Sequence, residues 1–130
     1  MKPRFVIAML LAIVVSLFAA TAYSQERAVL QKIDLPGTQY VTIMGTAELA
    51  PGAIAPLHIH PGVEVAYVLE GEGVVIKEGQ PDRQVKAGDS FQTSPGVPHR
   101  VKNLSNTRTM KILTIFVVEK DKQPIIHVSK

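Results

Sequence analysis

Apolar and polar positions alternate from Tyr40 to Leu49, with Val41, Ile43, Ala47 and Leu49 on one face and Thr42, Thr46 and Glu48 on the other. A period of two marks a half-buried strand, because successive side chains of an extended backbone point to opposite faces. Glu48 is thereby assigned to the solvent side. Further strands are predicted over Glu64 to Leu69, Val74 to Lys77, Val85 to Ala87, Ser90 to Thr93, Arg100 to Leu104 and Thr109 to Val118, the last being the longest β-branched run. Asp34-Leu35-Pro36-Gly37, Pro51-Gly52, Glu78 to Asp82, Gly88-Asp89 and Ser105-Asn106 read as turns between them. The closely spaced glycines of Glu70-Gly71-Glu72-Gly73 predict a hairpin, and Val29-Leu30-Gln31 reads as either an edge strand or a brief arm. Beyond the apolar N-terminal stretch no segment carries a helical period. Many short strands at regular spacing predict an all-β antiparallel sandwich or barrel.

One stretch concentrates the candidate chemistry. His58 and His60 stand two apart between Pro56 and Pro61, so an extended backbone projects both imidazoles from one face. Glu64 follows across the Pro61-Gly62 turn, at the head of a β-rich run that is expected to fold back beside the histidine strand. His99 ends a Pro/Gly-rich loop, Ser94-Pro95-Gly96-Val97-Pro98, and opens another β-type run. Three neutral imidazoles and one carboxylate suit a divalent first-row transition metal with coordination positions left free.

These residues carry a family resemblance. Gly52-x5-His58-x-His60-x3-Glu64-x6-Gly71 resembles the first cupin motif at every defining position, and Gly88-x5-Ser94-x-Gly96-x2-His99-x3-Asn103 resembles the second. Ser94 departs from the pattern, standing where the family usually has proline, while Pro95 and Pro98 still stiffen that loop. The resemblance spans about Tyr40 to Val118 and implies the antiparallel double-stranded β-helix, the cupin jelly roll. It also implies His58, His60, Glu64 and His99 as metal ligands for iron, manganese, copper, nickel or zinc, and a homodimer. The apolar runs Tyr40 to Leu49 and Ile112 to Val118 offer surfaces for such pairing.

The 130 residues suffice for one domain. Met1-Lys2-Pro3-Arg4, the apolar run Phe5 to Ala20 and the A-x-A pattern at Ala20-Thr21-Ala22 read as a signal peptide over residues 1–22, cut after Ala22 or Ser24. The alternative is an uncleaved membrane anchor, since sixteen apolar residues approach the spanning length. An N-terminal arm over 23–39, a cupin domain over 40–118 and a C-terminal tail over 119–130 complete the expected organisation. Cleavage would remove Lys2 and Arg4 and lower the formal net charge from +3 to +1, so the basic excess is partly the leader's. The mature chain then carries no electrostatic footprint for nucleic acid and no basic patch for a membrane surface. Periplasmic or secreted localisation follows from the leader. With no cysteine, the chain must hold together through its core rather than disulfides. Lys2-Pro3-Arg4 lacks an Arg-Arg pair, so the site is expected to fill with metal after export.

Glu64 has two available roles, metal ligand or general base beside the metal. Asn103 is expected to support its strand. His127, in the polar tail without partner spacing, is expected to be exposed. Tyr67, Gln92 and Arg100 are pocket candidates, but alternation puts Ala66 and Val68 on the side of Glu64, giving a small apolar wall, and would then turn Tyr67 to the opposite face. Three functions remain open. The preferred one, drawn from likeness to quercetinase-type cupins, is a mononuclear metal-dependent dioxygenase acting on a small organic substrate. The alternatives are a metal-dependent isomerase or lyase, and a non-enzymatic protein binding a small ligand or metal ion.

Overall fold

The computed structural model describes residues 25–129. The leader expected over residues 1–22, with Lys2, Arg4 and its cleavage point, lies outside them. At the centre are β2 (Tyr40–Leu49) and β9 (Met110–Glu119), whose burial alternates residue by residue and which pair antiparallel along their whole length, from Tyr40 opposite Glu119 to Leu49 opposite Met110. The alternation legible in the sequence thus becomes one inward and one outward face shared by two strands. Flanking them are β1 (Gln25–Asp34) on one side and β4 (Val63–Glu70), then β7 (Ser90–Thr93), on the other, giving the sheet order β1-β2-β9-β4-β7.

The second sheet is built from β3 (His58–Ile59), β5 (Glu72–Lys77), β6 (Arg83–Lys86), β8 (His99–Asn103) and β10 (Ile126–His127), in the order β10-β3-β8-β5-β6. Every pairing is antiparallel, and no helix occurs among the described residues, so none is long and apolar enough to cross a membrane. The inward side chains form two clusters. Leu49, Val68, Val75, Val101, Met110 and Ile112 belong to the larger, while Val41, Ile43, Phe116 and Val118 make the smaller, against which Ile125 packs.

Two expected local pairings are not formed. Glu70 to Gly73 is no hairpin: β4 and β5 lie in different sheets, and Gly71, at φ +83°, is where the chain crosses between them. That left-handed conformation favours glycine, and an added Cβ would stand 3.1 Å from the Met110 Cα. Likewise β4 does not fold back beside β3. It enters the facing sheet and pairs with β9 and β7. The β3 strand offers only two residues to pair, whereas β9 matches the period of β4 from Val63 opposite Val117 onward. Gly62 makes that path possible, since any Cβ there would collide with the backbone oxygen of Val117.

Of the two readings left open for Val29 to Gln31, the edge strand is the one formed. β1 runs ten residues beside β2 with a bulge between Val29 and Gln31, and its face is uncovered, Val29 being 70% exposed. At the other end, part of the polar C-terminal segment joins the second sheet as β10, with Ile126 opposite Ile59 and His127 opposite His58.

Candidate metal centre

His58 and His60 flank Ile59 at the end of β3 and both point inward, 3% and 0% exposed. His99 is the first residue of β8 rather than part of the preceding loop, and the register sets it directly opposite His58. Glu64 comes from the facing sheet, on β4 between Phe116 of β9 and Thr93 of β7. The four residues expected to converge are therefore brought together, three from one sheet and one from the other. The ligand atoms of the three histidines all lie within 4.8 Å of one another.

Backbone carbonyls orient every ring. His58 Nδ1 donates to Pro56 O at 2.8 Å, His99 Nδ1 to Val97 O at 2.9 Å, and His60 Nδ1 to Pro124 O at 2.6 Å. With a carbonyl holding the Nδ1 proton, each imidazole in its neutral form presents an Nε2 lone pair. The Nε2 atoms of His60 and His99 are 3.1 Å apart, and Glu64 Oε2 lies 3.4 and 3.3 Å from them. Glu64 Oε2 is buried without a hydrogen-bond partner. Two lone pairs and a carboxylate oxygen thus face one another in a dry interior, an arrangement that a cation between them relieves. The donor set, imidazole nitrogens with one carboxylate, suits a divalent transition metal, and the carbonyl bonds to Nδ1 supply the outer support such ligands ordinarily have.

The protonation states agree. Burial pushes the His58 imidazole down to about 4, and the nearby charges of His99, His60 and Arg27 add to it against the bond to Pro56. For Glu64, burial alone would raise the carboxyl, but His60 and His99, whose Nε2 atoms face Oε2, outweigh it and hold the group well below the usual carboxylate range when those rings are protonated, so metal and proton compete for the same point. At neutral pH His58 is therefore neutral and Glu64 ionised, the forms that bind metal.

The surroundings are apolar. Phe116 lies against the His60 ring, centroid to centroid 4.7 Å, and Ala66 and Val68 face inward as alternation requires. The cavity beside His58, Glu64 and His99, walled by residues such as Leu49, Ala55 and Phe91, has a volume of about 20 Å³, room for little more than one water. Asn103 is a latch. Its buried amide donates to the carbonyls of Leu49, Ala50 and Arg108 and accepts from the Ser105 N–H, tying the end of β8 to the neighbouring loops.

The three further pocket candidates do not reach the site. Tyr67 lies on the outer face of β4, Gln92 is exposed between inward Phe91 and Thr93, and Arg100 alternates with inward His99 and Val101. Period two makes outward neighbours of inward residues, and all three sit one position from an inward side chain. His127 is exposed as expected, although it stands on a strand, its ring centroid 6.4 Å from that of His58. Two contributors were not foreseen. The Pro124 carbonyl is a backbone atom 64 positions from His60 and leaves no mark in sequence. Arg27 lines the cavity from β1, where a single turn of alternation gave no period to read.

A two-sheeted antiparallel jelly roll whose interior gathers three histidines able to hold a divalent metal defines the class. Residues 45–116 match the cupin domain family, Cupin_2, and the chain belongs to it. A stretch of 51 residues is 35% identical to the dimethylsulfoniopropionate lyase DddQ of Ruegeria pomeroyi, covering 39% of this chain and 25% of that protein. The crystal structure of the same lyase superimposes with a TM-score of 0.64 at 21% identity, over 80% of this chain and 51% of that one. The chain thus spans about half of the lyase or less. A cupin-like protein from Thermotoga maritima gives a TM-score of 0.65 at 24% identity over 82% of this chain and 77% of its own. At those identities the superpositions show a shared fold. Oxalate oxidase in complex with the substrate analogue glycolate gives 0.65 at 27% identity, over 84% of this chain and 57% of that chain.

Proposed function

We propose that this chain is a metal-dependent oxidoreductase of the dioxygenase type, with His58, His60, His99 and Glu64 holding one divalent transition metal and a small organic molecule as substrate. The observation that carries the reading is the convergence of the His60 and His99 Nε2 atoms and the unpartnered Glu64 Oε2 on one buried point. A redox-active ion held there by these residues would supply open coordination positions and electron-transfer chemistry for a substrate and dioxygen. The chain's own contribution is positional. Carbonyls of Pro56, Val97 and Pro124 lock the rings, the apolar wall excludes water, and the ionised Glu64 balances the ion's charge and can accept a substrate proton. Among the described inward residues near the histidines Glu64 is the one carboxylate, which favours chemistry carried by the metal. The likeness to oxalate oxidase supports the same reading.

The test is elemental analysis of natively expressed protein, with oxygen uptake followed across flavonols, small diketones and small carboxylates. One redox-active metal per chain and substrate-dependent oxygen consumption support the reading. Zinc or no metal, with no uptake, refutes it. A second reading, a metal-dependent lyase with Glu64 as base, is favoured by the 35% identity to the dimethylsulfoniopropionate lyase and predicts turnover without oxygen.

The site of action belongs to the same proposal. The leader-like residues 1–22 support export, and N-terminal sequencing of a periplasmic fraction should begin at Tyr23 or Gln25. Homodimerisation is supported by the outer face of β4, where Val63, Val65, Tyr67 and Leu69 stand exposed in a row. A monomeric mass by light scattering at micromolar concentration would refute it.

A further inference from the structure

The register of β1 determines what faces the cavity mouth. Gln25 lies opposite Leu49 and Arg27 opposite Ala47, and since Leu49 and Ala47 are inward, Gln25 and Arg27 share that face. Both line the cavity that holds His58, Glu64 and His99. Arg27 as a whole is exposed, on the uncovered edge strand, yet its guanidinium end reaches inward far enough that burial lowers its pKa while the charge of Glu64 opposes that shift. No carboxylate among the described residues stands within ion-pair distance of it.

A second cation faces the site from the opposite sheet. Lys77 pairs with His99, lies on the inward side of β5 after Val75, and donates to Gln92 O; it too feels the charge of Glu64. Glu64 is thus a single negative charge facing Arg27, Lys77 and whatever ion the histidines hold. The approach to the centre carries a positive excess, a condition that attracts an anion.

We propose that the substrate is a small carboxylate anion and that Arg27 is its specificity-determining residue, gripping the carboxylate at the mouth of the cavity while the rest of the molecule reaches the metal. The guanidinium fork matches a planar carboxylate through two parallel hydrogen bonds. The cavity itself holds little more than one water, so the carboxylate is gripped at its mouth rather than inside it. Lys77, already committed to Gln92 O, contributes charge rather than grip. This inference rests on the metal centre proposed above for the position of the substrate's far end.

The test is titration calorimetry on the full-length protein loaded with Co2+, with malonate, its neutral isostere malonamide and inorganic phosphate as ligands. Malonate should bind at least tenfold more tightly than either competitor. Arg27→Met and Arg27→Gln should each weaken malonate about tenfold or more, with Arg27→Lys retaining part of the affinity and metal stoichiometry unchanged in all three. Equal binding of malonate and malonamide, equal binding of phosphate, or unchanged malonate affinity in a folded Arg27→Met or Arg27→Gln protein would overturn the assignment. The same titrations on metal-free protein separate the two proposals. A chain that takes up no Co2+ refutes the metal centre, while dependence of malonate binding on Arg27 still decides this one.

Discussion

Ending the chain after Gln123 removes Pro124, whose carbonyl accepts the Nδ1 proton of His60 at 2.6 Å, together with Ile125 and strand β10. His60 is completely buried in the intact chain, with Pro124 O as the acceptor on the Nδ1 side of its ring, so the truncation takes away both that acceptor and its cover. An unsatisfied buried donor costs about 1–3 kcal/mol. Loss of the half-buried Ile125 from the cluster of Val41, Ile43, Phe116 and Val118 adds roughly 1 kcal/mol. The imidazole can escape the first cost by rotating or by moving its proton to Nε2, and either change removes the lone pair aimed at the metal. Loss of such an outer-shell partner ordinarily lowers metal affinity about 10- to 100-fold. The assay is chelator competition for Co2+ on full-length and truncated protein, with strand content checked by circular dichroism. Ile125→Ala serves as the control that loses packing but keeps the Pro124 carbonyl. The truncated chain should bind metal about 10- to 100-fold more weakly, and Ile125→Ala should lose stability while keeping its affinity. A folded truncated chain with unchanged Co2+ affinity would refute the role given to Pro124.

Three other outcomes are expected. His60→Ala and His99→Ala should each cut metal occupancy sharply, and Glu64→Gln should lower affinity about tenfold or more by replacing the charged oxygen with a neutral amide; unchanged stoichiometry in both histidine variants overturns the ligand set. Gly62→Ala should destabilise the protein and weaken metal binding together, because its Cβ meets the Val117 carbonyl and can be relieved only by moving the backbone that links His60 to Glu64; wild-type metal affinity in this variant would contradict that coupling. For metal-free protein, His58 titrates near 4 when folded and near 6.5 when unfolded, so the unfolded chain binds the extra proton between those values. Its contribution, about 3 kcal/mol, is intact above pH 6.5 and lost as pH falls to 4, and denaturant midpoints flat across that window would refute it.

The parts of the fold that were legible in sequence are those decided within a few residues. Alternation along Tyr40 to Leu49 gave the inward face of β2, because period two is a property of the strand alone. The His58 and His60 pair was readable for the same reason, and the two spaced motifs added Glu64 and His99. Pairing partners were not readable. Gly71 and the Pro61-Gly62 turn each looked like a reversal within one sheet, whereas both carry the chain from one sheet to the other, a choice made by the length and period of β9 far away. Arg27 and the Pro124 carbonyl were missed on the same ground, since their positions depend on register with β2 and β3. Asn103 was placed correctly as a support, but the atoms it supports come from two separate segments, the end of β2 at Leu49 and Ala50 and the loop at Arg108.

The gathering of ligands from both sheets makes an ion at this point a cross-link in a chain that has no cysteine to form one. It would join residues as far apart in sequence as His58 and His99, and it would bind the folded chain in preference to the unfolded one. Stability then obeys mass action, each tenfold rise in free metal above the dissociation constant adding about 1.4 kcal/mol. The lifetime of this protein against proteases would therefore follow the metal content of its surroundings, so that scarcity of the ion would remove the protein itself as well as empty its site.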